Sequence, residues 1–194
     1  MTEKTSFTID KCESLRNQFL IAMPGLDDSL FSHSLTFICD HNKNGAMGLI
    51  INQPLGINLS DVFQQLQLES SPALSDAHVL AGGPVNSQQG LVLHRDEGHW
   101  ESTLRITPDI CLTASKDIVE AMANNQGPSG AQLALGYAGW SAGQLEEELS
   151  NNMWLTMPAD NAIIFDTPTE QRWNAAAQAL GVDLNLISSA AGHA

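Results

Sequence analysis

The stretch from Gln132 to Trp154, LALGYAGWSAGQLEEELSNNMW from Leu133 onward, constrains this chain most, because glycines, aromatics and a helix start meet in it. Leu133-Ala134-Leu135 reads as the end of a buried strand, after which Gly136 and Gly139 let the backbone turn or be approached closely. The chain then switches into a helix. Ser141 followed by Gln144 fits a capping box, the hydroxyl taking the Gln144 amide while the Gln144 side chain reaches back to the serine amide. Leu145 and Leu149 share the inner face of that helix, which runs to about Ser150. Glu146, Glu147 and Glu148 sit early in it, where the positive end of the helix dipole favours carboxylates. Asn151 and Asn152 end it.

A glycine-rich passage from strand to helix is also how phosphate cradles are built. Here no lysine follows the glycines, the G-x-x-x-x-G-K-[ST] pattern is absent, and three glutamates crowd the dipole end that a phosphate would need. The glycines therefore serve a tight turn before a ligand loop.

Gly136-Tyr137-Ala138-Gly139-Trp140, Gly143-Gln144-Leu145-Glu146, Asn152 and Trp154-Leu155-Thr156 together resemble the signature of the AlgH/YqgE-like family of small bacterial proteins. Phe19 to Pro24, His41-Asn42 with Gly45 to Gly48, Asn52-Gln53-Pro54, Gly82-Gly83-Pro84, Leu91 to His94 and Gly192-His193-Ala194 agree with it, so the resemblance runs from about Phe19 to the end. It implies one α+β domain with a central bifurcated or barrel-like sheet and helices around it. The family's members are mostly uncharacterised or labelled transcriptional regulators, and the resemblance brings no catalytic residues with it.

At 194 residues, with no Pro/Ser/Gly-rich linker, the chain is read as a flexible segment over 1–14 and one domain over 15–194. Its charge is uneven. Residues 117–194 hold nine of the 22 acids against one of the eight cations, Arg172, which leaves thirteen acids and seven cations before them. A duplex DNA reader needs a basic stripe to neutralise phosphates, and this chain has nowhere to make one. Arg95, Arg105 and Lys116 are dispersed among acids, the pattern of a solvated face. Three cysteines, Cys12, Cys39 and Cys111, form no C-x-x-C pair, which argues for a reduced compartment. The first fourteen residues lack a basic and an apolar region, and the run near Phe19 is too short to span a bilayer, so no membrane and a cytoplasmic location are expected.

Strands are expected over 19–23, 35–39, 46–51, 78–81, 90–94, 102–107, 110–114, 154–157, 162–166 and 184–187, with Asn44-Gly45 marking a hairpin. Asp27-Asp28-Ser29 caps a short helical turn. Asn58 or Ser60 caps a helix to about Leu68, Ser115 one over 116–124 with Ile118, Val119 and Met122 inside, and Gly127 to Gly130 forms a turn. Thr167-Pro168-Thr169-Glu170 combines a cap, a first-turn proline and Glu at the third position, for a helix stopped by Gly181. Short connections between strands favour antiparallel pairing, while helices interrupt irregularly. The fold class is α+β, with a mixed, mostly antiparallel sheet flanked by helices.

Six histidines, at 33, 41, 78, 94, 99 and 193, show no H-x-x-x-H or H-E-x-x-H spacing, and no metal or cofactor is expected. His41 and His94 could meet in space. No G-x-S-x-G elbow exists, Ser34 and Ser141 have local explanations, and Cys39 and Cys111 sit in apolar strands as small hydrophobes. No catalytic residue is assigned. If a ligand or partner site exists, it lies where three segments converge: Asn52 and Pro54; Gly82, Gly83 and Pro84; and Gly136, Tyr137, Gly139, Trp140, Gln144 and Glu146. The expected function is a non-enzymatic regulatory or interaction module acting through a protein partner or a small ligand. The alternative is a small-molecule binder or hydrolase-type enzyme using the glycine-rich loop 136–146.

Overall fold

The computed structural model describes residues 14–26, 30–70 and 77–183. Ten strands and five α-helices lie among them: β1 (Gln18–Ala22), β2 (Leu35–Asn42), β3 (Gly45–Ile50), β4 (Pro54–Asn58), α1 (Leu59–Gln65), β5 (His78–Ala81), β6 (Val85–Arg95), β7 (Thr103–Arg105), β8 (Ile110–Thr113), α2 (Lys116–Ala123), β9 (Gln132–Ser141), α3 (Gln144–Ser150), β10 (Trp154–Pro158), α4 (Asn161–Phe165) and α5 (Arg172–Ala179). The sheet runs β10-β1-β2-β3-β9-β6-β8-β7, and β4 pairs β5 beside that path. All pairings are antiparallel except β5 with β9.

The sheet forks at β9. Its first half pairs β6 on one side and β5 on the other, with Ala134 opposite Leu80; its second half pairs β3, with Ala138 opposite Gly48. The ends of β3 and β5 therefore meet in the crotch, where the Gly82 amide donates to the Leu135 carbonyl and the Ile50 amide to the Gly82 carbonyl, both at 2.9 Å. Side chains have no room there. A Cβ on Gly82 would stand 2.3 Å from the Gly136 carbonyl oxygen, and one on Gly83 2.1 Å from the Tyr137 backbone.

The turn expected at Gly136 to Gly139 is thus strand, because neighbours on both sides supply its pairing. Gly136, at φ +70°, kinks it where residues 86–89 of β6 loop out of register. In a regular strand Ala134 and Ala138 would share a face. Instead Ala134 and Tyr137 pack in one core, and Ala138 and Trp140 in another on the opposite face. The left-handed residue has exchanged the two faces of the strand.

The curled sheet encloses the largest core, with Phe19, Phe37, Leu49, Leu93 and Leu112 capped by Ile163 and Ile164 of α4 and Trp173 of α5. Outside it, α1 and α2 cover Val79, Val92 and Leu133, with Ile118, Val119 and Met122 inward as expected. On the other outer face Leu145 of α3 packs on Leu20, Ile38, Ala138, Trp140 and Trp154. The Arg16 guanidinium draws the far edge of the sheet toward β1, donating to the carbonyls of Ile106, at 3.2 Å, and Arg105 in β7. The result is the barrel-like, bifurcated α+β arrangement read from the sequence.

Several local readings are corrected. The segment 162–166 is helix, because the Asp160 carboxylate accepts the Ala162 amide at 2.7 Å and caps it, while Ile163 and Ile164 both turn into the barrel. Thr167 does not open the last helix. Its hydroxyl donates to the Ala162 carbonyl at 3.0 Å, closing α4, and a 3-10 turn over Thr169–Gln171 precedes α5. The Gly181 stop stands, with φ +77°. Asn52-Gln53-Pro54 does not simply end a strand, since Pro54 begins β4, and β6 starts five residues before Gly90. Asn58 caps α1, its own amide held by the Asp61 carboxylate at 2.8 Å. The readings at Asp27-Asp28-Ser29, at 184–187 and over 1–13 lie outside the described residues.

Gly136→Ala should be among the most damaging small substitutions in the sheet. The new methyl would lie 2.4 Å from the Gly83 carbonyl oxygen at a left-handed φ. A loss of at least about 3 kcal/mol in chemical denaturation is expected, against less than ~1 kcal/mol for an alanine at exposed Gly25, where nothing lies within 4 Å.

Candidate functional site

The polar side chains with the most chemistry gather where α3 meets the outer face of β2, β3 and β9. A bulge and a kink put them there. On β2 the register slips between Ile38 and Asp40, so His41 pairs with Ala46 and faces α3; without the slip it would follow Phe37 and Cys39 into the barrel. The left-handed kink at Gly136 does the same for Trp140.

His41 is 6% exposed. Its Nδ1 accepts the Leu15 amide at 2.9 Å, so the ring is neutral and carries its proton on Nε2, which donates to the Glu146 carboxylate at 2.9 Å. A histidine oriented by a carboxylate resembles the base of a hydrolytic triad. Here the nitrogen that would take a proton is already occupied by a backbone amide. The pair ties α3 and the residue 14–15 segment, whose Ser14 hydroxyl donates to the His41 carbonyl at 2.9 Å, to the end of β2.

Two residues further along α3, Oε2 of Glu148 accepts the indole N–H groups of both Trp140 and Trp154 at 2.8 Å. Its Oε1 accepts the Gln144 amide at 3.0 Å, and Gln144 Oε1 accepts the Ser141 amide at 3.0 Å and hydroxyl at 3.2 Å. Half of the expected capping box is therefore present. The glutamine reaches back to the serine amide, but the serine hydroxyl donates to that side chain rather than capping the helix, whose N-cap is Gly143 at φ +79°. The indoles meet edge to face at 6.2 Å, and Phe31 packs edge-on to Trp154 at 5.7 Å. Both tryptophans are buried, so this carboxylate satisfies two indole donors that have no access to water.

The other expected site residues lie at the fork, around the middle of β9. Gly82, Gly83 and Gly136 are buried in the crotch, Tyr137 is half-buried, and Pro54, Pro84 and Gly139 are exposed around it. Asn52 is spoken for, its side chain accepting the Leu35 amide at 2.7 Å and donating to the His33 carbonyl at 2.8 Å. The Gln53 carbonyl takes the Ala81 amide at 2.8 Å, joining the Asn52 turn to the Gly82 turn. The structure thus brings the Asn52, Gly82 and Gly136 segments together and separates Trp140, Gln144 and Glu146 from them.

The remaining titratable groups are held locally. Arg95 pairs with Asp166 at 3.0 Å, Arg105 with Asp96 at 2.6 Å and Lys116 with Glu120 at 2.9 Å, so they form no shared basic patch. The Arg105 guanidinium holds the Asp96 carboxyl below its ordinary range, and the Ser129 amide and hydroxyl do the same for Glu97. Arg172, 4% exposed, donates to the Ile51 carbonyl at 2.6 Å, the Gln132 side chain at 2.7 Å and the Thr167 carbonyl at 3.0 Å. Burial lowers its pKa to about 10, which leaves it charged at neutral pH. Burial pushes the Cys39 thiol up to about 12 and raises Cys111 as well, against thiolate chemistry at either.

His41 and His94 do not meet. His94 is 1% exposed, with Nδ1 donating to the Arg95 carbonyl at 2.6 Å and Nε2 taking the Thr113 hydroxyl at 2.8 Å; Thr113 in turn lies 2.7 Å from the Thr103 hydroxyl. Sequence reading missed these roles, along with those of Glu148 and Arg172. For Glu148 there was a signal, the spacing of Gln144 to Glu148 at four residues; for Arg172 there was none beyond its isolation among acids.

A family model described as AlgH-like matches residues 19–185. A UPF0301 protein of Saccharophagus degradans is 62% identical over 181 residues, 93% of this chain and 89% of that one. Another, from Hahella chejuensis, is 53% identical over 93% of this chain and 97% of its own. The solution structure of the AlgH protein from Pseudomonas aeruginosa covers 100% of both chains at 44% identity with a TM-score of 0.77. A crystal structure of a Corynebacterium diphtheriae protein, 19% identical over 88% of this chain and 89% of its own with a TM-score of 0.68, shares the fold.

Glu148→Leu should strip the acceptor from both buried indoles and cost roughly 2–4 kcal/mol, read by denaturation followed through tryptophan emission; Glu148→Gln, which keeps an acceptor, should lose less. His94 gives a pH signature. Burial lowers its pKa in the folded chain, so the unfolded chain binds the proton first as pH falls below about 6.5. Stability should be full above that value and decline below it, toward the lower folded pKa, and His94→Gln should flatten this limb of the melting-temperature profile.

Proposed function

The chain belongs to the AlgH-like family, and from that premise we propose that it is a non-enzymatic interaction module of the cytoplasm, regulatory in role and acting through a protein partner. One observation carries this reading. Two carboxylates of the helix after the glycine-rich stretch, Glu146 with His41 and Glu148 with Gln144, Trp140 and Trp154, are committed to hydrogen bonds that hold α3, two buried tryptophans and the sheet together. A substrate would have to break those bonds before it could use the groups.

Charge decides the class of partner. With a net charge of −14 and its surface cations at Arg95, Arg105 and Lys116 each facing an acid, the chain would repel duplex phosphates, so a regulatory role here runs through protein contact rather than DNA. The reduced, separate Cys39 and Cys111 suit the cytoplasm, and no described helix is long and apolar enough to cross a membrane. For the contact surface we favour the rim of the fork, where Pro54, Pro84 and Gly139 are exposed over the rigid crotch of Gly82, Gly83 and Gly136.

The test has two arms. Titration with duplex DNA at low and moderate salt, alongside a thermal-shift panel of nucleotides, metabolites and divalent metals, should leave the protein unaffected. A ligand at ~100 times its dissociation constant would instead add roughly 2.7 kcal/mol and overturn the reading in favour of a small-molecule site. In the second arm a partner captured by the full chain should be lost by Pro84→Glu at an unchanged melting temperature, and retention by that variant would remove the fork rim from the proposal.

A further inference from the structure

We infer that the α3-side face of β2 binds one ordered water between the hydroxyls of Ser34 and Thr36. Both residues are fully buried, and neither Ser34 Oγ nor Thr36 Oγ1 has a hydrogen-bond partner. Lying two apart in an extended segment, they present their side chains to the same face. That face is the outer one: Leu35 and Phe37, on either side of Thr36, pack in the barrel, whereas Ile38 packs with Trp140 and Leu145.

The surroundings fix both groups in place. The Ala22 amide donates to the Ser34 carbonyl at 3.0 Å, and Leu20 stands directly opposite Thr36 on β1. On the β3 side a Cβ at Gly48 would come within 2.9 Å of Thr36 Cγ2, so the threonine methyl is packed tightly over that glycine. Backbone groups here serve the ladder, which leaves the two hydroxyls without a protein acceptor. Burying such groups unsatisfied is costly, and in a protein stabilised by only a small margin two of them on one face call for a partner.

The separation of the two hydroxyls suits a bridging water. Residues two apart on a strand are separated by about 6.6 Å, too far for the hydroxyls to bond to each other but within the span of two hydrogen bonds of about 2.8 Å once the side chains lean together. A buried water needs at least two polar partners, and this pair supplies them.

The test turns on the sign of an isosteric change. Thr36→Val and Ser34→Ala keep the packing and remove the hydroxyls. With a shared water, each single variant of the full chain should lower the melting temperature by about 2–5 °C, and the double variant should lose no more than the larger single, because both act through one molecule. A rise in melting temperature for Thr36→Val would mean that an orphan hydroxyl had been relieved, and fully additive losses would mean separate partners. Either result overturns the inference. Should a variant fail to fold, a high-resolution crystal structure of the unmodified protein decides the matter by density, or its lack, between the two oxygens.

Discussion

The rest of the architecture depends on the close approach of three backbones at the fork. Wherever two strands share one neighbour along its length, their ends must turn aside where they meet, and the space left is narrower than a side chain. Here β3 and β5 both use β9, and Gly82, Gly83 and Gly136 are the positions where a methyl would overlap a backbone atom. Those contacts let one strand belong to two sheets. They also set the kink that exchanges its faces, so that Ala134 lines the barrel and Leu133 and Leu135 the α2 side before Gly136, whereas after it Tyr137 turns to the barrel and Ala138 and Trp140 to α3.

With the faces exchanged, Trp140 needs a donor's partner on the outside of the sheet, and α3 provides it. A single carboxylate accepting two indoles and an amide is a charge-assisted arrangement stronger than neutral pairs. Arg172 plays the complementary part inside the barrel mouth, joining α5 to the ends of β3 and β9 through neutral acceptors. Both groups are charges used as fasteners. Their removal would leave buried partners unsatisfied, which is why polar side chains deep in this fold are better read as structure than as chemistry.

Much of this was legible in the residues. Periodicity located α1, α2 and most strands, Asn44-Gly45 marked the β2–β3 hairpin, and the run Gln144 to Ser150 was a helix with Leu145 inward. The failures share a cause. Alternation predicts a face only while register is unbroken, and the bulge at Cys39 and the left-handed kink at Gly136 break it through contacts distant in sequence. So the glycines looked like a turn, and His41 had no visible partner although Glu146 lies 105 residues away. Ala162 to Asp166 failed differently: its β-branched residues suit a strand, but the Asp160 cap and burial of two successive isoleucines decided for helix.

The candidate site was legible as two halves mistaken for one. Signature residues in the middle of β9 and at its C-terminal end are close in sequence, so a loop reading merged them, whereas the five extended steps from Gly136 to Ser141 carry them roughly 16 Å apart. That separation bears on function. A small ligand seated in the fork would lie well short of Gln144 and Glu146. The hydrogen bonding committed at the α3 end fixes the shape of the sheet, while the rim of the fork stands exposed. On the proposed reading that rim is recognised by its shape, as a protein partner would do, since metabolite binding calls for convergent polar groups.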